Sequence, residues 1–286
     1  MKFTDCHTHI TPADVAGKIR ENFVSMIPYL DTLRKFSESP SELINYLDSC
    51  EIEAIGIMNY PSPETHGIGM EAIDSTLRYC SEFRDRLYPF GSVHPVLMSA
   101  DEVLRSLETQ YEKGIAGIKL HPVHQYFRPC DYREDERNMK SLEVVYEFAS
   151  DHNLSVLIHT GTSMLLNARN RFGNPLFIED VAIDFPRLNI ILAHGGRPFW
   201  MREAFFILRR FRNVWLDISG IPPQKLLSEY FPRFDLISER CLYGSDFPSP
   251  GVKGIRENLE IFLGLPLNKK VKEIICYKNF KKLYRA

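Results

Sequence analysis

Short apolar runs recur along the chain, and segments with helical periodicity separate them. The first run ends in Asp5-Cys6-His7-Thr8-His9. Seven more follow at residues 52–60, 87–94, 115–121, 155–160, 189–194, 213–219 and 241–246. Runs that are this short and almost continuously apolar are typical of parallel strands buried on both faces. The pattern therefore predicts eight strands that alternate with helices.

The spacers between the runs carry signals for the start and the end of helices. Ser39-Pro40-Ser41-Glu42 has a hydroxyl at the N-cap, a proline at the first position and a glutamate at the third, which is a capping box. Ser99-Ala100-Asp101-Glu102 repeats the box, and Gly114 is placed to end that helix. Asn174-Pro175 opens another helix, which Pro186 stops. Further helices are expected at 139–151, 198–211 and 223–231, and two short ones at 255–284.

This alternation predicts a (β/α)8 TIM barrel. An open doubly wound sheet is the alternative, but six strands would be commoner there, and no glycine-rich phosphate-binding turn follows the first run. A chain of 286 residues suits one barrel domain spanning 1–286, in which 255–286 form C-terminal helices that cover one end. The connections 10–38, 59–70 and 122–138 are long, and each follows a strand, on the side where barrels build their active sites.

Composition narrows the class of protein. Hydrophobic residues make up 44% and charged residues 25% of the chain, as in soluble globular proteins with a sizeable core. The net charge of −2 creates no field that would favour nucleic acid or an anionic membrane. No apolar run approaches the roughly 20 residues of a membrane span. The first strand starts at residue 3, so no signal peptide is expected, and six cysteines without Cys-x-x-Cys spacing predict reduced thiols in the cytoplasm.

The first run carries a His-x-His pair. Because side chains alternate along a strand, His7 and His9 should project to one face, about 6–7 Å apart at their α-carbons. Asp5 should join them there, and Cys6 and Thr8 should point to the other face. Two adjacent imidazoles on a rigid strand suit a zinc-type site, and two structural histidines are the alternative. A metal would need further ligands from elsewhere in the chain.

Polar residues also stand at the carboxyl end of the later runs. They are Lys119 and His121 after the fourth, His159 after the fifth, His194 after the sixth, Asp217 and Ser219 after the seventh, and Asp246 after the eighth. In a closed barrel these ends meet at one mouth. An unpaired buried charge costs several kcal/mol, so their joint presence indicates a functional site, although any one alone is more simply a structural residue.

The order of His-x-His, His, His and Asp at strands one, five, six and eight resembles that of the amidohydrolase superfamily. The words DCHTHI (5–10), GIKLHP (117–122), LIHTG (157–161), LAHGGRP (192–198), NVWLDISG (213–220) and YGSDFP (243–248) resemble its amidohydrolase-related branch. That branch includes aminocarboxymuconate-semialdehyde decarboxylases, hydroxybenzoate-type decarboxylases, pyrone-dicarboxylate lactonases and many metal-dependent hydrolases. The resemblance runs from residue 5 to about 260 and is specific for the fold and the metal site, not for the substrate.

The resemblance implies roles for individual residues. His7, His9, His159 and Asp246 match the ligands of one divalent metal, with zinc as the first expectation, and His194 matches a residue that polarises substrate or shuttles protons. Three imidazoles and one carboxylate suit zinc with room for a water, whose pKa the ion lowers to about 7. Asp246 could then contact the metal and also accept a proton as general base.

Lys119 leaves two interpretations open. It is either a salt-bridged or substrate-binding ammonium, or a carbamylated lysine that bridges two metals, in which case His159 and His194 would share the second ion. Decarboxylases of the branch that the chain resembles usually lack this lysine, which favours hydrolysis.

The loops after the strands suggest the type of substrate. Four arginines and five aromatic residues fall there, which suits a planar or carboxylated small molecule, although an ordinary surface is the alternative for any one of them. They are Arg128, Arg169, Arg171, Arg197, Tyr60, Tyr126, Phe127, Trp200 and Phe247. Candidate substrate-binding residues are Lys119, His121, Arg197 and Trp200.

The expected function is metal-dependent hydrolysis of a small amide, lactone or ester. His194, with Lys119, would stabilise the oxyanion, and Asp246 would accept the proton of the water. A non-oxidative decarboxylase or hydratase acting on a small carboxylate with the same metal site is the alternative. A metal-binding barrel without activity is a third interpretation, against which the complete ligand set argues. No nucleic-acid or membrane partner is expected, and a homodimer is left open.

Overall fold

The computed structural model describes residues 2–27 and 29–284, apart from the side chains of residues 22 and 23. Its eight strands are parallel and lie in sequence order around one sheet: β1 Phe3–Thr8, β2 Ile52–Met58, β3 Leu87–Gly91, β4 Gly117–Leu120, β5 Ser155–His159, β6 Ile190–Ala193, β7 Val214–Asp217 and β8 Cys241–Leu242. Backbone hydrogen bonds join β1 to the segment after β8, from Cys6 N to Tyr243 O at 2.8 Å and from Asp246 N to His7 O at 2.9 Å. The predicted (β/α)8 barrel is confirmed.

Helices fill the connections between the strands. They are α1 Ala13–Ala16, α2 Glu21–Val24, α3 Leu30–Glu38, α4 Pro40–Ser49, α5 Glu71–Cys80, α6 Ala100–Glu112, α7 Pro122–Gln125, α8 Lys140–Asp151, α9 Ile178–Asp184, α10 Met201–Arg210, α11 Pro223–Lys225, α12 Ile255–Leu263, α13 Lys269–Glu273 and α14 Asn279–Leu283. Short 3-10 turns and two π-helical stretches, Leu226–Tyr230 and Ile274–Lys278, complete them.

Both predicted capping boxes stand at helix starts. The Ser39 hydroxyl accepts a hydrogen bond from the Glu42 amide at the start of α4. Ser99 and Glu102 satisfy each other's backbone amides at the start of α6. The helix expected from residue 174 begins instead as a 3-10 turn at Pro175–Phe177, and α9 follows it.

Two strands end earlier than the apolar runs predict. β6 stops at Ala193 and β8 at Leu242, before the polar residues that close each run. His194 and Asp246 have φ angles of +68° and +63°, so the backbone leaves the extended conformation at both positions. Because of these turns, both side chains reach the mouth of the barrel rather than continuing the sheet.

The strict alternation predicted for β1 is wrong. The pairing of β1 with β2 shifts register between Asp5 and Thr8. Cys6 packs in the interior cluster with Met58 and Leu157, although it was expected to face away from the interior-facing histidines. Asp5 accepts hydrogen bonds from the amides of His7 and Ser245 instead of joining the imidazoles. A bulge of this kind breaks the two-residue period, and the sequence carries no signal for it.

The two ends of the barrel interior differ in chemistry. Large apolar side chains fill the end where the strands begin, among them Phe90, Leu157, Ile191, Trp215 and Leu242, and Phe280 and Tyr284 pack against them. The C-terminal helices hold this end, because Asn279 donates to Cys241 O at 2.7 Å and Thr4 donates to Cys276 O at 2.7 Å. Residues 285 and 286 of the predicted covering segment lie outside the described residues. Within the described parts of the chain, every helix is too short or too polar to cross a bilayer.

Candidate metal centre and active-site cavity

Three predicted ligands meet at the mouth of the barrel. The Nε2 atoms of His7 and His9 are 3.0 Å apart, and Asp246 Oδ1 lies 3.5 Å from each of them. Ligands bound tetrahedrally to zinc at about 2.0–2.1 Å are about 3.3 Å from one another, so these three atoms fit one small divalent cation. His7 is fully buried and Asp246 nearly so. Polar groups gathered in this way are costly to bury, which supports a cation as a further partner.

Hydrogen bonds fix which nitrogen of each imidazole faces the group. His9 Nδ1 lies 2.5 Å from the carbonyl oxygen of Met58, which can only accept, so Nδ1 carries the proton. His7 Nδ1 lies 2.5 Å from Asp217 Oδ2 and donates to that carboxylate. With Nδ1 engaged in this way, Nε2 is the nitrogen that each ring directs to the group and could offer to a metal.

Burial keeps the His7 ring neutral. It lowers the pKa of His7 to about 4, with the nearby Lys119 ammonium as the second cause. Burial alone would raise the pKa of Asp246, but the facing His194, His9 and His7 outweigh it and hold that pKa below its usual range. The group therefore offers two imidazole nitrogens and one carboxylate oxygen, which is a donor set that suits zinc.

His194 lies beside the HxH pair, with its ring centroid 5.1 Å from that of His7. Its Nδ1 lies 2.7 Å from the Ser219 carbonyl oxygen, so this nitrogen also carries the proton. Burial lowers the pKa of His194 to about 3. The ring is thus neutral, and Nε2 is a hydrogen-bond acceptor.

Gly220 makes room for this arrangement. Its φ is +60°, and a Cβ there would lie 2.8 Å from Asp246 Oδ2, 2.8 Å from His194 Nδ1 and 2.6 Å from an Arg197 nitrogen. Any other residue would displace one of these three polar groups. The sequence carries no signal for this role of Gly220, because its neighbours come from other strands.

Lys119 lies below the ligand group and is fully buried. Its Nζ is 3.4 Å from His7 Nε2, and burial lowers its pKa to about 8. In the described parts of the chain, none of the ion pairs includes Lys119. The interpretations of Lys119, as a salt-bridged or substrate-binding ammonium or as a carbamylated bridge between two metals, all stay predictions.

His159 is near the group but is not part of it. Its ring stacks on His121 with a centroid distance of 3.8 Å and stands edge-on to His194 at 4.8 Å. Its Nε2 is buried and has no hydrogen-bond partner among residues 2–27 and 29–284. An orphaned buried nitrogen is what a missing cation would leave, so His159 remains the predicted fourth ligand.

A second set of polar residues joins Tyr60 to three residues that were not predicted from the sequence, His66, His124 and Ser163. Tyr60 Oη lies 3.0 Å from His66 Nε2 and 2.9 Å from His124 Nδ1, and His124 Nε2 lies 2.7 Å from Ser163 Oγ. His124 also stacks on His121 at 3.7 Å. The segment HPVHQ (121–125) carries a second histidine, His124, on the short helix α7. This histidine directly after the β4 mouth residues was the feature of the sequence that could have indicated a role for His124.

These residues enclose a cavity of about 140 Å³. It is close in size to cavities that hold one benzene-sized molecule. Its polar lining includes His9, His121, His124, His159, His194, Arg197 and Asp246. Arg197 Nη2 is 3.9 Å from Asp246 Oδ2. Trp200, a predicted substrate-binding residue, is the N-cap residue of α10 and is not part of this lining, so its role stays a prediction.

Comparisons with known proteins agree with the fold. A family model described as Amidohydrolase matches residues 4–286. An uncharacterised TIM-barrel protein from Bordetella bronchiseptica superposes with a TM-score of 0.75 at 19% identity, covering 99% of this chain and 98% of that one.

Two enzymes of known reaction are similar in structure. A 2,6-dihydroxybenzoate decarboxylase has a TM-score of 0.64 at 15% identity, covering 99% of this chain and 96% of its own. A 4-oxalomesaconate hydratase from Rhodopseudomonas palustris has a TM-score of 0.63 at 17% identity, covering 99% and 95%. A search of curated protein sequences found no significant match.

Proposed function

The chain belongs to the amidohydrolase family, and we propose that it is a metal-dependent hydrolase of a small amide, lactone or ester. The observation that carries the proposal is the position of the Asp246 carboxylate. Its Oδ1 is shared by His7 and His9, while Oδ2 is directed to Arg197. One oxygen can contact a cation while the other accepts a proton, which is what hydrolysis requires of a single carboxylate.

The residues fit a divalent cation. His7, His9 and Asp246 would hold it, and His159, whose Nε2 has no hydrogen-bond partner among the described residues, would be the fourth ligand. A cation bound there supplies Lewis acidity and a water with a pKa near 7. Zinc is the first candidate because the donors are imidazoles and a carboxylate.

Side chains of the protein would carry out proton transfer and stabilise the developing charge. The ionised Asp246 accepts a proton from water and returns it to the leaving group. His194, whose Nδ1 proton is committed to Ser219 O, can orient a water through Nε2 but cannot donate from that atom. The guanidinium of Arg197 is therefore the better placed donor for negative charge that develops on the substrate's carbonyl oxygen.

The size and lining of the cavity restrict the substrate. A volume of about 140 Å³ admits a small ring or a short acyl compound. Met26, Met164 and Leu165 add an apolar wall, so the substrate combines one polar reacting group with a compact apolar part.

A lyase is the second candidate, and Arg197 is the observation that favours it. Among the described residues that line the cavity, Arg197 is the permanent cation, and a guanidinium can bind a substrate carboxylate in bidentate fashion. In a non-oxidative decarboxylase or hydratase, that carboxylate would be held while a proton is transferred. The buried Lys119, which decarboxylases of this branch usually lack, weighs toward hydrolysis.

The test is a substrate panel assayed on protein of known metal content. Lactones, amides, esters and small aryl carboxylates are incubated at neutral pH with the wild type and with Asp246→Asn. Chromatography measures hydrolytic products, and a coupled assay measures carbon dioxide. We expect hydrolysis of at least one lactone, amide or ester by the wild type only. Carbon dioxide release or addition of water to a double bond, without hydrolysis, would overturn the proposal in favour of a lyase.

A further inference from the structure

An open groove of about 730 Å³ lies between the loops that follow β4 and β5. Four arginines and three aromatic residues line it: Arg128, Arg137, Arg169, Arg171, Tyr126, Phe172 and Phe177. We call it the arginine groove. It shares no lining residue with the cavity that contains Asp246, but both are built from the same two loops.

Two of the four arginines are neutralised. Arg128 pairs with Asp131 at 2.8 Å and with Glu136 at 2.5 Å, and Arg137 pairs with the same buried Asp131 at 3.1 Å. Arg169 and Arg171 are absent from the ion pairs of residues 2–27 and 29–284. Their guanidinium groups lie instead over the rings of Tyr126, at 5.7 Å, and Phe172, at 4.8 Å. The groove therefore keeps an excess of positive charge on two stacked guanidinium groups.

Tyr126 gives the groove a fixed floor. It is a non-glycine residue in the left-handed region, with φ +62° and ψ +46°, a conformation that is unfavourable for residues with a Cβ. Its hydroxyl donates to Asn167 O at 2.7 Å, and the amide of Arg169 donates to Val123 O at 2.9 Å. These bonds tie the two loops together, so the ring of Tyr126 is held in place under Arg169. Strain that the surroundings maintain in this way is typical of binding sites.

We propose that the arginine groove binds a small molecule through a phosphate group. A guanidinium stacked on a ring keeps its N–H edge free, and that edge matches two phosphate oxygens. The volume falls within the range of small-molecule sites and is much larger than one phosphate needs, which leaves room for the organic part of a phosphate ester beside Phe172 and Phe177.

The groove is connected to the active-site cavity through Ser163. The Ser163 amide donates to Asn170 Oδ1 at 2.9 Å, and Asn170 Nδ2 donates back to Ser163 O at 3.2 Å. Asn170 lies between the two unpaired arginines in the chain. Ser163 in turn contacts His124 inside the cavity. A ligand held by Arg169 and Arg171 would therefore order the loop that supplies one wall of the active site.

Titration calorimetry at low salt tests the proposal, with inorganic phosphate, pyrophosphate, AMP and adenosine as probes. The variant is Arg169→Gln combined with Arg171→Gln. The control is Arg34→Gln combined with Arg187→Gln, which removes two exposed arginines paired with Asp31 and Asp151 elsewhere. We expect the wild type and the control to bind at least one phosphate-containing probe saturably, and the groove variant to bind it at least about tenfold more weakly.

The probes distinguish the source of the phosphate. Tighter binding of AMP than of phosphate supports a phosphate ester, and equal binding supports the free anion. Binding of adenosine as tight as that of AMP would overturn the proposal, as would equal affinities of the groove variant and the control, or no saturable binding of any probe. If the double variant does not fold, Arg171→Gln alone, which removes an exposed side chain stacked on Phe172, gives the same comparison. None of these measurements depends on whether the active site hydrolyses its substrate.

Discussion

The two ends of the barrel interior use the same strands for opposite purposes. At the end where the strands begin, Phe90, Leu157 and Trp215 are buried against Phe280 from the C-terminal helices. At the other end His7 on β1, Asp217 on β7 and His194 directly after β6 are equally buried. Apolar burial stabilises the first end by about 25 cal/mol per Å², whereas desolvation of polar groups costs free energy at the second.

The difference indicates how stability and chemistry are separated along one barrel. The apolar end needs only volume and shape, so its side chains can be exchanged for others of similar size. The polar end depends on specific atoms at specific distances, such as the Nε2 pair of His7 and His9 at 3.0 Å. Substitutions at the apolar end should therefore change the free energy of unfolding but not metal affinity. Substitutions at the mouth should mainly change metal affinity and turnover.

The largest effect is expected at the mouth, from Asp246→Asn. Asparagine keeps the size and one ligating oxygen but accepts no proton at neutral pH, and it tolerates the φ of +63° at this position. The value of kcat should fall by roughly 10²–10⁴-fold, the usual contribution of a positioned acid or base. Turnover, metal content and melting temperature are measured on one preparation. A variant that melts much earlier yet turns over normally would remove the catalytic role.

The next effect is expected at the apolar end, from Phe280→Ala. This side chain is almost fully buried, with ring centroids 5.0 Å from Tyr88 and 4.9 Å from Tyr284. The free energy of unfolding should fall by about 3–5 kcal/mol, the usual cost of such a cavity. Denaturant unfolding checks this, with the exposed Phe199→Ala as the control. Loss of metal from folded Phe280→Ala would contradict the separation of the two ends.

Asp217→Asn tests the mouth of the barrel without substituting a predicted metal ligand. Asp217 accepts a hydrogen bond from Nδ1 of His7, and the loss of such a partner typically lowers metal affinity by about 10–100-fold. Competition with a chelator measures the affinity for zinc. Asp184→Asn, which removes an exposed carboxylate that pairs with Arg133 instead, is the control. Equal zinc affinities in the two variants would show that Asp217 has only a structural role.

The smallest effect for any one residue is expected on the pH dependence of the free energy of unfolding. Burial lowers the pKa of His7 to about 4 and that of His194 to about 3, below the ordinary value near 6.5. The unfolded chain therefore binds more protons than the native protein between those values, and metal-free protein should lose stability as the pH falls from about 6.5 toward 4. Each such histidine contributes about 1.4 kcal/mol per pH unit in that window. Urea unfolding of metal-free protein from neutral pH down to about pH 5 measures the slope, and a flat profile would contradict the neutral, buried state of these rings.

Much of the architecture could be predicted from the chain alone. The eight apolar runs mark the eight strands because buried parallel strands need uninterrupted apolar residues. The polar residue that follows each run marks the mouth, because the carboxyl ends of barrel strands converge. The sequence pattern therefore suffices to place His7, His9 and Asp246 together, and in the folded chain their ligand atoms lie within 4.8 Å of one another.

Tertiary structure alone decided the details of the site. The bulge in β1, the space left by Gly220 and the bonds of Tyr60 to His66 and His124 all depend on neighbours that are distant in sequence or on one-residue shifts in pairing. His7 and Asp217, for example, are 210 positions apart but share a hydrogen bond. Local patterns record which face of an element is buried, and they do not record which partner it meets there. For that reason the sequence determined the barrel and its mouth, and only packing decided which nitrogen, carboxylate and glycine complete the centre.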